Sequence, residues 1–208
     1  MKLYDHPASA NCLKARLALA QLEIEYEKVP VDIFDSERPG QLSRNPTKLV
    51  PVLEPEEGEF LAESGAILLY LAEGTPLLPP PGLQRARVHQ WLFFEQNQIE
   101  PGLAVARFMA LRGLVNDNPQ IYANRLSQGR RALSALARGL DDGRPFIAGE
   151  DYSVADIAIY AYVHCADEAG VDPREDQRIA DWLDRVEATP GFVNDLEPVP
   201  AHVAERPI

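Results

Sequence analysis

The chain has few of the residues on which disulfide-stabilised or metal-stabilised folds depend. It contains two cysteines, Cys12 and Cys165, which form no Cys-x-x-Cys pair, and four histidines whose spacings fit no metal-ligand pattern. A disulfide framework needs an even, regularly spaced set of cysteines, and a zinc site needs clustered cysteine and histidine ligands. We therefore expect neither a disulfide framework nor a bound metal.

Basic charge and long apolar runs are also scarce. Twenty Lys and Arg residues stand against 32 Asp and Glu residues, which gives a formal net charge of −12. Such a charge repels phosphate backbones and anionic lipid headgroups. The sequence has no apolar run of about 18 residues and no signal-peptide layout at its start. We expect a cytoplasmic protein that binds a small molecule, with neither nucleic acid nor a membrane as partner.

Two kinds of pattern divide the chain. Short alternating or β-branched runs at residues 2–4, 25–31, 51–54 and 59–62 predict strands, and residues 13–22 and 64–73 have helical spacing. These elements follow one another in the order βαβ-ββα. From residue 83 onward the periodicity is helical over 83–113, 119–140, 153–169 and 176–188, which predicts a bundle of packed helices.

A proline-rich segment separates the two patterns. Four prolines lie between residues 76 and 81, and proline both fixes φ and lacks a backbone N–H, so no regular element forms there. We predict an N-terminal α/β domain over residues 1–75, a linker over 76–83 and an all-helical C-terminal domain over 84–208.

Four local motifs stand within this frame. They are Asn45–Leu53 (NPTKLVPVL), Ala62–Ile67 (AESGAI), Tyr152–Ala158 (YSVADIA), and Trp91–Gln96 followed by Glu100-Pro101 and Ala104–Phe108. In this order they resemble the cytosolic glutathione transferase superfamily, and in particular its bacterial, serine-type, phi-, theta- and nu-like members. The resemblance implies a thioredoxin-like N-terminal domain that binds glutathione, a helical domain that carries a pocket for an electrophile, a role in detoxification, and a homodimer.

Two of the motifs predict contacts with glutathione. The resemblance implies a cis bond between Val50 and Pro51, which would leave the Val50 N–H and C=O free to pair with the cysteinyl unit. Ser64, predicted as a helix N-cap, and nearby amides would hold the γ-glutamyl carboxylate while Glu63 faces its ammonium group. The structural alternatives are a trans proline at the start of a strand and a plain capping serine.

The contact with the glycyl carboxylate departs from the family pattern. Family members often carry a basic or amide residue two places before the cis proline, where this chain has Leu49. A second basic position corresponds to Glu37. The neighbouring Lys48 and Arg38 are therefore the candidates for this contact. If neither reaches the site, glutathione binds weakly or the ligand is a different molecule.

The catalytic group has to stabilise a thiolate, because a free thiol with a pKa of about 8.5 is mostly protonated at neutral pH. Ser9, Asn11 and Lys14 form a Ser-x-Asn-x-x-basic pattern that resembles the first-loop motif of serine-type transferases. It implies that the Ser9 hydroxyl donates to the glutathione sulfur and that Asn11 adds a second hydrogen bond or orients Ser9. Alternatively, Ser9 only caps the first helix, or Cys12 is the reactive group, as in cysteine-type members.

The pocket for the electrophile is predicted between the first loop and the helical domain. Its candidate residues are His6, Arg107, Phe108, Arg112 and Tyr160. Aromatic and cationic groups together favour planar, anionic electrophiles. Three functions stay open at this point: a transferase that uses Ser9, a glutathione-dependent oxidoreductase or peroxidase, and a binding protein without enzymatic activity.

Overall fold

The N-terminal part of the molecule consists of a small sheet and two helices. The computed structural model describes residues 1–34, 42 and 45–199. The elements of this part are β1 (Lys2–Asp5), α1 (Ala10–Gln21), β2 (Glu27–Pro30), β3 (Val52–Glu54), β4 (Leu61–Ala62) and α2 (Ser64–Ala72). The predicted order βαβ-ββα is confirmed; β2, β3 and β4 are shorter than predicted, and β1 is one residue longer.

The sheet is mixed, with strand order β2-β1-β3-β4. β1 pairs with β2 in parallel and with β3 antiparallel, and β3 pairs with β4 antiparallel. Because β1 lies in the middle of the sheet, the loop that follows it emerges beside the start of β3. That loop leads directly into α1, so the first turn of α1 and the residues before β3 are neighbours.

The C-terminal part is helical, as predicted. Its helices are α3 (Leu83–Phe94), α4 (Val105–Leu111), α5 (Pro119–Gly139), α6 (Val154–Val163) and α7 (Gln177–Glu187), with 3₁₀ turns at Ala166–Ala169 and Pro173–Glu175. Residues 73–82 form no helix or strand, and Leu83, the last residue of the predicted linker, already belongs to α3; the domain bounds stay a prediction. None of the described helices is both long and apolar enough to cross a membrane.

The predicted helix over residues 83–113 is not uniform. Between α3 and α4 the chain forms a π-helical segment, Glu95–Ala104, and the helical backbone continues through both junctions. Pro101 lies inside this segment. Since proline has no N–H to donate to the preceding turn, the regular α-helical ladder cannot continue through it. The wider π turn carries Glu95 and Glu100 toward α1.

One continuous core joins the two parts. The same cluster of buried side chains includes Leu17 of α1, Leu68 of α2, Val88 of α3, Ile157 of α6 and Trp182 of α7. Helix α1 packs against both α2 and α6. The start of α1 is therefore held between the sheet and the helical part.

The predicted capping box of α6 is present. Ser153 is the N-cap, and the Asp156 carboxylate accepts a hydrogen bond from the Ser153 N–H at 3.0 Å. Asp156 also accepts from the Trp182 Nε1–H at 3.0 Å and the Ile147 N–H at 2.9 Å. Burial raises the pKa of Asp156. Beyond its predicted capping role, this carboxyl group ties α6 to α7.

Candidate functional site

Ser9 stands at the N-terminus of α1 in the conformation of a helix cap. Its Oγ accepts a hydrogen bond from the Cys12 N–H at 3.3 Å, and its backbone is extended, with φ −87° and ψ 117°. The capping role is thus confirmed. A hydroxyl that accepts one hydrogen bond still has its own hydrogen to donate. The half-buried Ser9 also lines a cavity of about 120 Å³, here called the Ser9 cavity. The contact of the Ser9 hydroxyl with the glutathione sulfur stays a prediction.

The Ser9 cavity holds three of the five residues predicted for the electrophile pocket. Arg107 and Phe108 of α4 and Arg112, the C-cap of that helix, line it together with Phe34 from the loop after β2. Two buried arginines beside two aromatic rings make the wall both cationic and apolar. The cavity lies between the first loop and the helical part, as predicted.

The other two residues of that prediction lie elsewhere. The His6 ring packs edge-on against Phe34, and its Nδ1 accepts from the Ala8 N–H at 3.1 Å. Burial lowers the pKa of His6, so the ring is neutral at pH 7. His6 therefore shapes the first loop and does not line the cavity.

Tyr160 is a core residue, which corrects its assignment to the pocket. It is 1% exposed, its hydroxyl donates to Glu187 at 3.3 Å, and its ring stacks on His164 at 4.6 Å. Tyr162, two residues further along α6, lines the Ser9 cavity instead. Residues two apart on an α-helix point about 200° away from each other, so both cannot face the same cavity.

A second cavity of about 110 Å³ lies on the other side of the α1 N-terminus; we call it the Ser64 cavity. Val50, Pro51, Glu63 and Ser64, four residues predicted to bind glutathione, line it together with Asn11. The Val50–Pro51 bond is cis, as predicted. The structure therefore brings the two glutathione motifs and the first-loop motif to one place.

Glu63, and not Ser64, occupies the N-cap position of α2, which corrects the prediction by one residue. Ser64 is the first residue of the helix, and the Glu63 side chain makes no capping hydrogen bond. Glu63 has φ +67° and ψ +116°, a conformation that non-glycine residues rarely adopt and that commonly marks a functional site. The buried Ser64 and the first N–H groups of α2 thus lie at the wall of the cavity.

Asn11 belongs to the Ser64 cavity. Its Oδ1 accepts from Lys14 Nζ at 2.8 Å and from Ser64 Oγ at 3.2 Å, and its Nδ2 donates to Glu100 Oε1 at 3.0 Å. These contacts fix its side chain to Ser64 and to the helical part. Its two predicted roles, to orient Ser9 or to donate a second hydrogen bond to sulfur, both stay predictions.

Lys14 lies beneath this cavity as a buried cation, a setting that the sequence analysis did not predict. It is 1% exposed, and its Nζ lies 2.9 Å from Glu95 Oε1 and 3.8 Å from Glu100 Oε2. Burial raises the pKa of Glu95, and the positive charge of Lys14 opposes that shift. Lys14 was the basic residue of the first-loop motif, but nothing local in sequence paired it with an acid 81 residues away.

Cys12 has the setting of a core residue. It is fully buried in the first turn of α1, and burial followed by the charge of Asp5 raises the pKa of its thiol to about 12. A reactive cysteine needs a lowered pKa and access to solvent. This geometry disfavours Cys12 as the nucleophile.

Of the two residues predicted to contact the glycyl carboxylate, Lys48 and Arg38, the structure describes only Lys48. Lys48 is exposed, has φ +53°, and is not among the residues that line the Ser64 cavity, whereas Leu49 is. Arg38 and Glu37 lie outside the described residues. Asn45, the first residue of the NPTKLVPVL motif, was not predicted as a site residue; it lines the cavity and donates to the Leu49 carbonyl at 2.9 Å.

A larger cavity, of about 530 Å³, lies between the linker and the start of α6. Prolines and aliphatic side chains form most of its wall, and none of the residues predicted to bind glutathione or the electrophile is among its described lining. In the part of the chain that the structure describes, no group of three or more His, Cys, Asp or Glu residues is placed to hold a metal ion. The predicted site residues that line a cavity do so at the Ser9 cavity or the Ser64 cavity.

Comparison with known proteins agrees with this geometry. The family model described as "Glutathione S-transferase, N-terminal domain" matches residues 1–73, and "Glutathione S-transferase, C-terminal domain" matches residues 119–185. A maleylacetoacetate isomerase of Pseudomonas aeruginosa is 30% identical over 100% of this chain and 98% of its own. The disulfide-bond oxidoreductase YfcG of Escherichia coli is 30% identical over 90% of each chain.

Solved structures give the same result. A glutathione S-transferase from Pseudomonas fluorescens superposes with a TM-score of 0.88 at 41% identity, covering 94% of this chain and 98% of that one. A glutathione transferase family member from the same species, with two glutathione molecules bound, superposes with a TM-score of 0.81 at 27% identity, covering 96% and 92%. The chain belongs to the glutathione S-transferase family.

Proposed function

We propose that this protein is a glutathione transferase in which Ser9 stabilises the glutathione thiolate for attack on an electrophilic small molecule. One observation carries the proposal: the first turn of α1 separates the two cavities. Ser9 lines one of them, and Asn11, two residues later, lines the other. A peptide thiol held in the Ser64 cavity would lie next to both the activating hydroxyl and the space for its partner.

Glutathione would occupy the Ser64 cavity in an extended form. Its γ-glutamyl carboxylate would lie at the N-terminus of α2, against Ser64, where helix N–H groups and the helix dipole favour an anion. The exposed Glu63 would face the ammonium group. The backbone of Val50 would pair with the cysteinyl unit, as in strand addition to a sheet edge. The candidates for the glycyl carboxylate are Lys48 and Arg38.

Ser9 would supply the activation. A hydrogen bond to a charged group contributes about 1.5–3 kcal/mol, which corresponds to roughly one to two pKa units at 1.36 kcal/mol per unit. The N-terminus of α1 adds a favourable dipole for the same anion. Together these effects are large enough to bring a thiol with a pKa of about 8.5 into the neutral range.

Glutathione affinity and turnover test this function. We expect calorimetry to show saturable glutathione binding, and the protein to conjugate glutathione to 1-chloro-2,4-dinitrobenzene. Ser64→Ala should weaken glutathione binding about tenfold, because a hydrogen bond of roughly 1.4 kcal/mol is lost. Ser134→Ala is the matched control, since Ser134 is exposed and donates to the Arg130 carbonyl on α5. Absence of both binding and conjugation would leave the binding-protein alternative.

A second candidate activity is disulfide reduction by two glutathione molecules without a protein thiol. It is favoured by the burial of Cys12 together with the 30% identity to a disulfide-bond oxidoreductase. In this reaction two glutathione thiols are oxidised to glutathione disulfide while the substrate disulfide is reduced to two thiols. Reduction of hydroxyethyl disulfide faster than conjugation, and retained by Cys12→Ala, would favour it over the transferase.

We also propose that the protein is a homodimer. Three large apolar side chains are more than half exposed along α2 and α3: Tyr70, Leu83 and Phe93. Exposed apolar groups that lie together commonly mark protein interfaces, and we place these three side chains in one interface. A second copy of this chain is the partner that the family implies.

A further inference from the structure

Two buried arginines face the Ser9 cavity. Arg107 is 7% exposed and Arg112 is 8% exposed, and both line the cavity. Arginine keeps its charge in proteins, and a buried charge is costly unless partners satisfy it. The described lining contains no other charged residue. The lining thus carries two positive side chains and no negative one in a protein whose net charge is −12, and Arg107 is ion-paired with Glu168 outside the lining.

Arg107 is only partly satisfied. Its Nε donates to Glu168 Oε2 at 2.6 Å, and its Nη1 approaches the Ala8 carbonyl oxygen at 3.4 Å. Its Nη2 is buried and has no hydrogen-bond partner among the described residues. A guanidinium group presents its N–H groups as a planar fork that matches a carboxylate. The unused donor is thus suited to an anionic group of a ligand.

Arg112 is held by aromatic rings. Its guanidinium carbon lies 5.6 Å from the ring centroid of Phe108 and 5.7 Å from that of Phe34. Cation–π contacts of this kind fix the orientation of a guanidinium and strengthen where water is excluded. The same two rings line the cavity, so a flat apolar body would lie beside a fixed positive charge.

We propose that the Ser9 cavity selects electrophiles that carry a carboxylate next to a planar or apolar reactive part. Arg107 and Arg112 bind the carboxylate, and Phe34, Phe108 and Tyr162 pack against the body. The inference rests on the proposed function, because it places the reactive carbon near Ser9, where the thiolate would be. The two arginines are then determinants of substrate specificity.

A pair of matched probes tests this selection. The probes are 4-chloro-3,5-dinitrobenzoate and the corresponding benzamide, which differ in charge at a position remote from the reacting carbon. In each reaction the glutathione sulfur bonds to the carbon that bears chlorine. The carbon–chlorine bond breaks, chloride leaves with the electron pair, and the thiol proton passes to solvent. We measure kcat/KM for each probe, divided by its uncatalysed rate constant with glutathione.

The expected result is a preference for the benzoate by about tenfold or more, since hydrogen bonds to a charged group exceed those to a neutral one by that order. In Arg112→Gln and Arg107→Gln the ratio of benzoate to benzamide should fall by about the same factor, and Arg107→Lys should keep part of it. Arg131→Gln is the matched control: it removes the same charge from the exposed face of α5 and should leave the ratio unchanged.

Calorimetry with the two purified glutathione conjugates separates this inference from the proposed function. Both conjugates carry the same glutathione part, so their affinity ratio reports on the cavity alone, whether or not the enzyme turns over. Tighter binding of the carboxylate conjugate, lost in Arg112→Gln, supports the inference even if catalysis is slow. Equal affinity of the two conjugates would overturn it and leave the transferase proposal in place. Binding of neither conjugate would overturn both.

Discussion

At the scale of single residues, Lys14 is the least expected feature of the site. Sequence reasoning found Ser9, Val50, Pro51 and Ser64 because each stands in a short local motif, and the structure brings these residues together around two cavities. It missed the pairing of Lys14 with Glu95, because partners so far apart in sequence leave no local pattern. It also misplaced Tyr160, since a helix segment that is buried all round gives no signal of which side faces a cavity.

Removing the buried cation should destabilise the protein. In Lys14→Met the Glu95 carboxylate loses the ammonium group at 2.9 Å and is left as an uncompensated buried charge, at a cost of about 3–5 kcal/mol in unfolding free energy. Urea denaturation at pH 7 measures the change. The double variant Lys14→Met/Glu95→Gln should recover much of the loss, because the uncompensated charge is gone.

The control for Lys14 is an ion pair whose lysine is exposed. Its partner Glu54 is buried but also accepts hydrogen bonds from the Tyr4 hydroxyl and the Gly58 N–H. Lys2 lies 3.9 Å from Glu54 and its side chain is 43% exposed, so Lys2→Met should change the unfolding free energy by about 1 kcal/mol or less. A Lys14→Met variant as stable as Lys2→Met would show that the buried cluster is not an ion pair.

The two cysteines should be unreactive in the folded protein. Burial raises the pKa of Cys12 and of Cys165 to about 12, so at pH 8 almost no thiolate is present and the sulfurs are out of contact with solvent. We expect Ellman's reagent to titrate neither thiol within minutes at pH 8, and both after unfolding in urea. Immediate reaction of one thiol per folded chain, absent in Cys12→Ala, would show that Cys12 is reactive. It would then favour the cysteine-type alternative over activation by Ser9.

At the scale of elements, the strongest contrast between expectation and structure is the π-helical segment between α3 and α4. The sequence predicted one helix over residues 83–113. A short change of helical pitch alters the spacing of apolar residues too little to be detected in the sequence pattern. The physical signal was Pro101, a residue that the interior of a regular α-helix excludes. The order of strands and helices, by contrast, was predictable throughout, since period-2 and period-3.6 patterns and turn residues mark it directly.

Gly102 of that segment packs directly on α5. A Cβ atom placed on Gly102 would lie 2.5 Å from the Gly129 nitrogen and 2.8 Å from its Cα. Both are backbone atoms that cannot turn aside, so Gly102→Ala should separate the two elements and lower the unfolding free energy by about 1–3 kcal/mol. Denaturant unfolding measures the change.

Gly65 in α2 is the matched control for this substitution. A Cβ atom there would meet no heavy atom within 4 Å, and alanine is the better helix former, so Gly65→Ala should be neutral or stabilising by up to about 1 kcal/mol. Equal effects of the two substitutions would contradict the close approach of the π-helical segment and α5.

At the scale of the whole molecule, the homodimer is the property to test. The mass in solution should be about twice the 23.1 kDa of one chain at micromolar concentration, because closed dimers are the commonest oligomers and an interface would bury the exposed apolar side chains of α2 and α3. Light scattering coupled to size exclusion measures it. Phe93→Glu, which puts a charge at a side chain 73% exposed, should shift the protein toward monomer.

The comparison variant for the dimer is Ile121→Glu. Ile121 is 51% exposed on α5, away from α2 and α3 in sequence, and its substitution should leave the mass unchanged. A monomeric parent protein, or a shift caused equally by both variants, would count against an interface formed by α2 and α3.

The activation of glutathione by Ser9 is the central claim, and the pKa of the bound thiol tests it most directly. The ultraviolet absorbance of the thiolate, titrated with pH in the complex with glutathione, should give a pKa below the solution value. In Ser9→Ala the pKa should rise by roughly one to two units, because the anion loses a hydrogen bond worth about 1.5–3 kcal/mol. Turnover at pH 7 should fall by a similar number of decades, and the two enzymes should converge above both pKa values. An unchanged thiol pKa in Ser9→Ala, with glutathione still bound, would contradict the account.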